Sequence, residues 1–138
     1  MAMFTAAGAN AALDHIFGGV AYGNANWYFA LGTNTLSSPG DAVTEVSTDN
    51  WTNYARDEVV RNQTNFPAAS AKAMANGAAL DFGTATIPSG TVTVKCIGIY
   101  TASTSGTLHA SVNLTAEKVI NNGDPVTVPI GDLDITMA

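Results

Sequence analysis

The side chains that could do chemistry are few in this chain and lie far apart. The two histidines are His15 and His109, and Cys96 is the single cysteine. None of them belongs to a His-x-His, His-Glu-x-x-His or Cys-x-x-Cys spacing, which are patterns that hold zinc. Cys96 lies in an apolar stretch, where an inert buried thiol is expected. The sequence therefore predicts no metal site and no cofactor.

The tightest group of carboxylates is Asp124, Asp132 and Asp134. On a strand, Asp132 and Asp134 would project to one side, where they could bind calcium or act as an acid–base pair. Aspartates that follow glycine in turns accept backbone hydrogen bonds, and we favour that role. No serine lies in a Gly-x-Ser-x-Gly elbow. We expect no catalytic residues and no enzyme, and a small hydrolase of envelope sugars that uses Asp132, Asp134 or Glu117 is the less favoured alternative.

The composition favours a surface that is buried against neighbours. Only 12% of the residues are charged, and neutral hydrogen-bonding side chains supply most of the polarity. The net charge is −6 and the five basic residues are scattered, so we expect no direct binding of nucleic acid. Residues 1–20 contain neither a basic leader nor an unbroken apolar run. We therefore expect no secretory signal and no membrane span.

The beginning of the chain predicts one short helix. Asn10 is a suitable N-cap for a helix over residues 11–17, and the Gly-Gly pair that follows would end it. Four large apolar residues fall on one face of that helix: Leu13, Ile16, Phe17 and Val20. We expect this face to pack on the protein's own sheet, and an arm that reaches a partner is the alternative.

The rest of the chain predicts about eight short strands separated by Gly, Pro, Ser and Asn turns. They lie at residues 27–31, 43–47, 54–60, 78–82, 92–100 and 108–114, with two more, joined by a turn, that run to the end of 123–138. We expect the second and third strands to form a hairpin and the stretch 63–76 to be irregular. No helix is placed to connect parallel strands. The fold class is therefore all-β.

The architecture we predict is an antiparallel sandwich, jelly-roll-like, with an immunoglobulin-like sandwich as the alternative. The length fits one domain of residues 1–138, with a helix or arm over 1–22 and the sandwich over 23–138.

Several short motifs then occur in a recognisable order. They are Trp-Tyr-Phe-Ala-Leu at 27–31, Thr-Glu-Val-Ser at 44–47, Tyr-Ala-Arg at 54–56, Ile-Gly-Ile-Tyr at 97–100, Leu-His-Ala at 108–110 and Gly-Asp-Leu within 130–136. In this order the chain resembles small virion proteins of tailed bacteriophages, the group labelled head-decoration (cement) or tail-fibre proteins. The resemblance extends over about residues 11–137. It implies a structural protein of the virion that is made in the host cytoplasm.

The resemblance implies two placements in the virion. We expect a decoration protein on the capsid surface, which would clamp subunits of the major capsid protein as a small homo-oligomer, a dimer or trimer, through many weak contacts. The alternative is a short tail-fibre or tail-tip component that contacts the host surface. We expect the charged cluster around Arg56 to form surface or interface ion pairs. The candidate contact residues are Met3, Phe4, Leu13, Phe17, Trp51, Tyr54, Arg56 and Arg61.

Overall fold

A computed structural model describes residues 3–136, and in them the chain forms an all-β sandwich with one N-terminal helix. The elements in chain order are α1 (Ala6–Phe17), β1 (Asn26–Gly32), β2 (Asp57–Val60), β3 (Ala73–Ala75), β4 (Leu80–Thr84), β5 (Val92–Tyr100), β6 (Leu108–Ile120), β7 (Pro125–Val128) and β8 (Asp134–Thr136). Within residues 3–136, no helix is both long enough and apolar enough to cross a membrane.

The helix α1 begins five residues earlier than the sequence predicts. Its N-cap is Thr5, whose hydroxyl accepts a hydrogen bond from the Gly8 N–H at 3.0 Å. The predicted N-cap, Asn10, lies inside the helix because the Ala-rich residues before it are good helix formers. Thr5 also fastens the helix to the sheet, since its backbone N–H donates to the carbonyl of His109 at 2.8 Å.

The main sheet has four antiparallel strands in the order β2-β1-β5-β6. Trp27 pairs with Val59 on one side of β1, and Phe29 pairs with Ile99 on the other. The bounds of β5 agree with the prediction, and β6 is six residues longer than predicted. Phe4 forms an isolated antiparallel bridge with Ala110, so the segment before α1 covers the outer edge of β6.

The remaining strands form two antiparallel pairs, β4 with β7 and β3 with β8. Along the sequence, β5 and β6 are the inner pair, β4 and β7 flank them, and β3 and β8 are the outermost pair. Such nested pairing is typical of a jelly roll. The two C-terminal strands are present as predicted, and each pairs with an earlier strand rather than with the other. The predicted continuation of the last strand to Ala138 lies outside the described residues.

Two other local predictions are wrong for non-local reasons. Residues 43–47 and 54–60 do not form a hairpin: Glu45 bridges Gly32 at the end of β1, and β2 pairs with the start of β1. The stretch 63–76, predicted to be irregular, contains β3 because β8 supplies its partner from the other end of the chain.

The core lies where the main sheet faces the two small strand pairs. Phe29 and Leu31 of β1 enter it, and Trp51 reaches it from the turn region before β2. Cys96 is buried, as predicted, and burial raises the pKa of its thiol. The helix α1 contributes only Gly8 to the buried residues, so it lies against the sandwich rather than within its core.

Candidate functional site

Three of the predicted contact residues lie inside the protein. Met3 is 2% exposed, Trp51 is fully buried and Tyr54 is 9% exposed. The Tyr54 hydroxyl accepts a hydrogen bond from the Leu31 N–H at 2.9 Å and donates to Glu45 at 3.1 Å. These side chains fill the core and offer no surface, which corrects the expectation that aromatic residues near position 51 face a partner.

Arg56 also serves the protein's own structure. Its guanidinium forms a bidentate ion pair with Glu45 at 2.7 and 2.9 Å and donates to the carbonyls of Ala102 and Ser105 at 2.6 and 2.8 Å. It also lies 3.7 Å from the centre of the Tyr100 ring. We call these residues the Arg56 cluster. The ion pair joins two segments of one chain, so the expected interface role is replaced by an internal one that anchors the loop after β5.

The apolar side of α1 is exposed, contrary to the expectation that it packs on the sheet. Phe17 is 83% exposed, Leu13 and Ile16 of the same helix are also exposed, and so is Val20, which lies just after the helix. The helix instead docks through Gly8, because a Cβ at that position would overlap the carbonyl of His109. We call the four exposed residues the α1 apolar face. The alternative considered from the sequence, an arm that reaches a partner, agrees better with this geometry.

A groove of about 590 Å³ opens beside α1, between the turn that follows the helix and the segment after β2. We call it the aromatic groove. Its floor is formed by Phe29 and Ile99 of the main sheet. Its walls carry mainly rings and amides: Phe4, His15, Tyr22, Trp27, Arg61, Asn62, Gln63, Phe66 and His109.

The rings of the aromatic groove form a continuous series. The Trp27 ring centre lies 6.2 Å from that of Tyr22 and 5.2 Å from that of His109, and His15 lies 5.0 Å from Tyr22 on the far side. The Arg61 guanidinium lies 5.1 Å from the centre of the Tyr22 ring, within the range of a cation–π contact. Neighbouring rings are tilted by 40° to 73°, and we call this series of rings, with Arg61 beside it, the ring wall.

The electrostatics of the groove differ from those of the whole chain. No aspartate or glutamate belongs to its lining, although the chain carries a net charge of −6. In the described part of the chain the ion pairs are Arg56–Glu45 and Lys95–Glu117, so Arg61 has no carboxylate partner there. Burial lowers the pKa of His109, which favours its neutral form. Arg61 is the one arginine or lysine among the lining residues.

The sequence reasoning found two members of the groove and missed its most important ones. Phe4 and Arg61 were predicted contact residues, and both line it. Trp27 was placed in a strand and was not among the candidate contact residues. It lies two residues before Phe29, so both side chains are on one face of β1, and Trp27 is at the half-buried end of that face. Tyr22 had no signal in the sequence, because only the path of the chain after α1 brings it to Trp27.

The three aspartates that the sequence singled out are Asp124, Asp132 and Asp134, near the end of the described chain. Within residues 3–136 no group of three or more His, Cys, Asp or Glu side chains could hold a metal ion. Asp124 accepts a hydrogen bond from the backbone N–H of Asn121 at 2.8 Å, as predicted for a turn aspartate. Asp132 and Asp134 are exposed.

Comparison with known families identifies the class of protein. The family model described as podophage GP4 fiber I protein gp80 matches residues 3–136, almost the whole chain. The chain is therefore a structural protein of a bacteriophage virion.

The chain belongs to the podophage GP4 fiber I protein gp80 family. The resemblance to tailed-phage virion proteins is thereby confirmed, whereas the narrower assignment to head-decoration proteins is not. A comparison with curated proteins gave no match.

Proposed function

We propose that this protein is a subunit of a phage tail fibre, the role that the sequence reasoning held as its alternative. The observation that carries this proposal is the match of residues 3–136 to a family described as a fiber protein. The decoration of the capsid, which we expected first, has no comparable support. Residues 3–136 fold as a β-sandwich around one core, so we place them as a compact unit of the fibre.

The α1 apolar face is the proposed attachment surface of this subunit. Four large apolar side chains that are more than half exposed would be costly on a free protein, because burial of each contributes on the order of 1 to 3 kcal/mol. A helix of twelve residues also needs packing to be stable. We propose that the face packs against other copies of this chain, which gives the fibre unit its homo-oligomeric state.

The role that we propose is structural rather than enzymatic. Asp124 is engaged by its own turn, and the Arg56 cluster is satisfied internally. Neither arrangement leaves a poised acid–base pair or a nucleophile.

The location can be tested by electron microscopy of virions decorated with gold-labelled antibody against the purified chain. We expect gold on the tail. Gold confined to the head surface would contradict the tail-fibre proposal and restore the capsid-decoration alternative.

The attachment surface can be tested by sedimentation of Phe17→Asp against the wild-type protein. We expect an oligomer for the wild type and a monomer for the variant, because a buried charge in an apolar contact is strongly unfavourable. The matched control is Ile130→Asp, since Ile130 is 65% exposed and lies outside α1. A monomeric wild type, or equal dissociation by both variants, would contradict this assignment.

A further inference from the structure

We propose that the aromatic groove binds an acidic saccharide, a chain of pyranose units that carry carboxylates. This inference deepens the proposed function, because a fibre subunit that contacts a host surface would meet such sugars there. Its support is the chemistry of the groove, in three parts: the ring wall, the unpaired arginine and the free hydrogen-bonding groups.

The ring wall suits the apolar face of a sugar. A pyranose ring presents C–H groups on its faces and hydroxyl groups around its rim, so it can lie flat on an aromatic ring. Tyr22 and Trp27 are only partly buried and meet edge to face, with 73° between their planes, so each ring can offer its own face to a separate sugar unit. The cavity of about 590 Å³ is within the usual range for small-ligand sites and has room for more than one sugar unit.

The charge of the groove favours an anion over a neutral sugar. Arg61 has no carboxylate partner in the described residues, and its guanidinium can bind a carboxylate through two parallel hydrogen bonds. The lining includes no acidic side chain that would repel such a ligand. In a chain of net charge −6, a groove lined by an arginine and by no carboxylate is complementary to a carboxylate and not to a cation.

Hydrogen-bonding groups in the groove are free to bind hydroxyls. The Trp27 indole N–H donates to no residue in the described chain, whereas the Trp51 indole donates to Asn53 at 2.8 Å. The Asn62 carbonyl accepts from the N–H groups of Thr64 and Asn65, which leaves its amide NH₂ available. Trp27 and Asn62 both line the groove, so both donors belong to residues that border the bound sugar in this proposal.

The two tryptophans supply a test with a built-in control. Trp27 lines the groove, while Trp51 is fully buried in the core. Purified ¹⁵N-labelled protein would be titrated with trigalacturonate, and the two indole N–H signals followed by NMR. We expect the Trp27 signal to shift and the Trp51 signal to stay. We expect galactotriose, which is neutral, and acetate, which has no ring, each to bind at least about tenfold more weakly.

Two variants test the assignment of the site. Arg61→Gln and Tyr22→Ala should each weaken trigalacturonate binding by about tenfold or more, and Lys118→Gln should leave it unchanged. Lys118 is the matched control because it is exposed, carries the same charge and lies outside the groove. The Trp51 signal and thermal unfolding report whether each variant is folded.

Several results would overturn the proposal. They are the absence of a Trp27 shift in the wild type, equal affinity for galactotriose or acetate, or a shift that persists in both groove variants. An aromatic groove filled by the α1 apolar face of another copy would also give no shift in the oligomer, and so would overturn it. The titration uses isolated protein, so a negative result would not contradict the proposed location on the tail. In the same way, gold on the head would contradict the tail location and would not change the result of the titration.

Discussion

Two regions of this protein place an arginine over a tyrosine, and they differ in what else surrounds the guanidinium. In the Arg56 cluster, the guanidinium lies 3.7 Å from the Tyr100 ring centre and is also bound by Glu45 and two carbonyls. In the aromatic groove, Arg61 lies 5.1 Å from the Tyr22 ring centre and has no carboxylate partner among residues 3–136.

The comparison teaches that the same pair of residue types can serve stability or be available for binding. The Arg56 side chain is 6% exposed, so its contacts form only when the chain folds. Removal of the guanidinium would break all of them at once. Arg61 is exposed, so water can hydrogen-bond to its guanidinium when no ligand is bound. Burial and the number of partners decide which role an arginine has.

The largest expected effect is on the Arg56 side of the comparison. Arg56→Ala should lower the free energy of unfolding by about 3 kcal/mol, because it leaves a partly buried Glu45 carboxylate and two carbonyls without their donor. Urea unfolding followed by tryptophan fluorescence would measure it. The matched control, Arg61→Ala, should change the free energy by less than about 0.5 kcal/mol. Equal losses in the two variants would remove the distinction drawn between the two arginines.

A smaller effect is expected where α1 meets the wall of the groove. Gly8→Ala should lower the free energy of unfolding by about 1 to 3 kcal/mol, since the new Cβ would overlap the carbonyl of His109 and push the helix away. Gly23→Ala is the control, because a Cβ there meets no atom within 4 Å. Hydrogen exchange of the α1 amides should rise in the first variant alone. Unchanged protection in Gly8→Ala would show that the helix does not dock through this glycine.

The smallest effect is a pH dependence that arises on the groove side. Burial lowers the pKa of His109 below its ordinary value of 6.5. Just below pH 6.5, the unfolded state therefore binds more protons at this histidine than the folded state does. Stability should therefore fall as the pH drops from 6.5 towards the lowered pKa of the folded state. His109→Gln should flatten this part of the curve in thermal unfolding at a series of pH values. A curve of the same shape for the variant would mean that His109 is not the titrating group.

The local pattern of the sequence identified many of the strands. The bounds of β5 were predicted without error, and those of β1 to within one residue at each end, because alternation and turn residues act over short distances. The same reasoning placed Cys96 in the core. It failed for β3, whose three residues form a strand only beside β8.

The candidate site depended far less on local pattern. Phe4 and Arg61 were named from residue type alone, and nothing in their neighbourhoods distinguished them from Trp51 or Arg56, which are internal. Phe17 was named as a contact residue, yet its helix face was expected to pack on the sheet and is exposed. Amphipathic spacing shows that a helix has an apolar face and does not show what covers it.

The sequence by itself determined that the chain is rich in antiparallel strands, begins with a helix, lacks metal-ligand spacings and resembles phage virion proteins. Only the tertiary structure decided that Arg56 is enclosed while Arg61 is free, and that Tyr22 joins Trp27 in one groove. The physical reason is the range of the interactions. Strand alternation is set by adjacent residues, whereas burial, ion pairing and cavities depend on segments that are distant in sequence and meet only after folding.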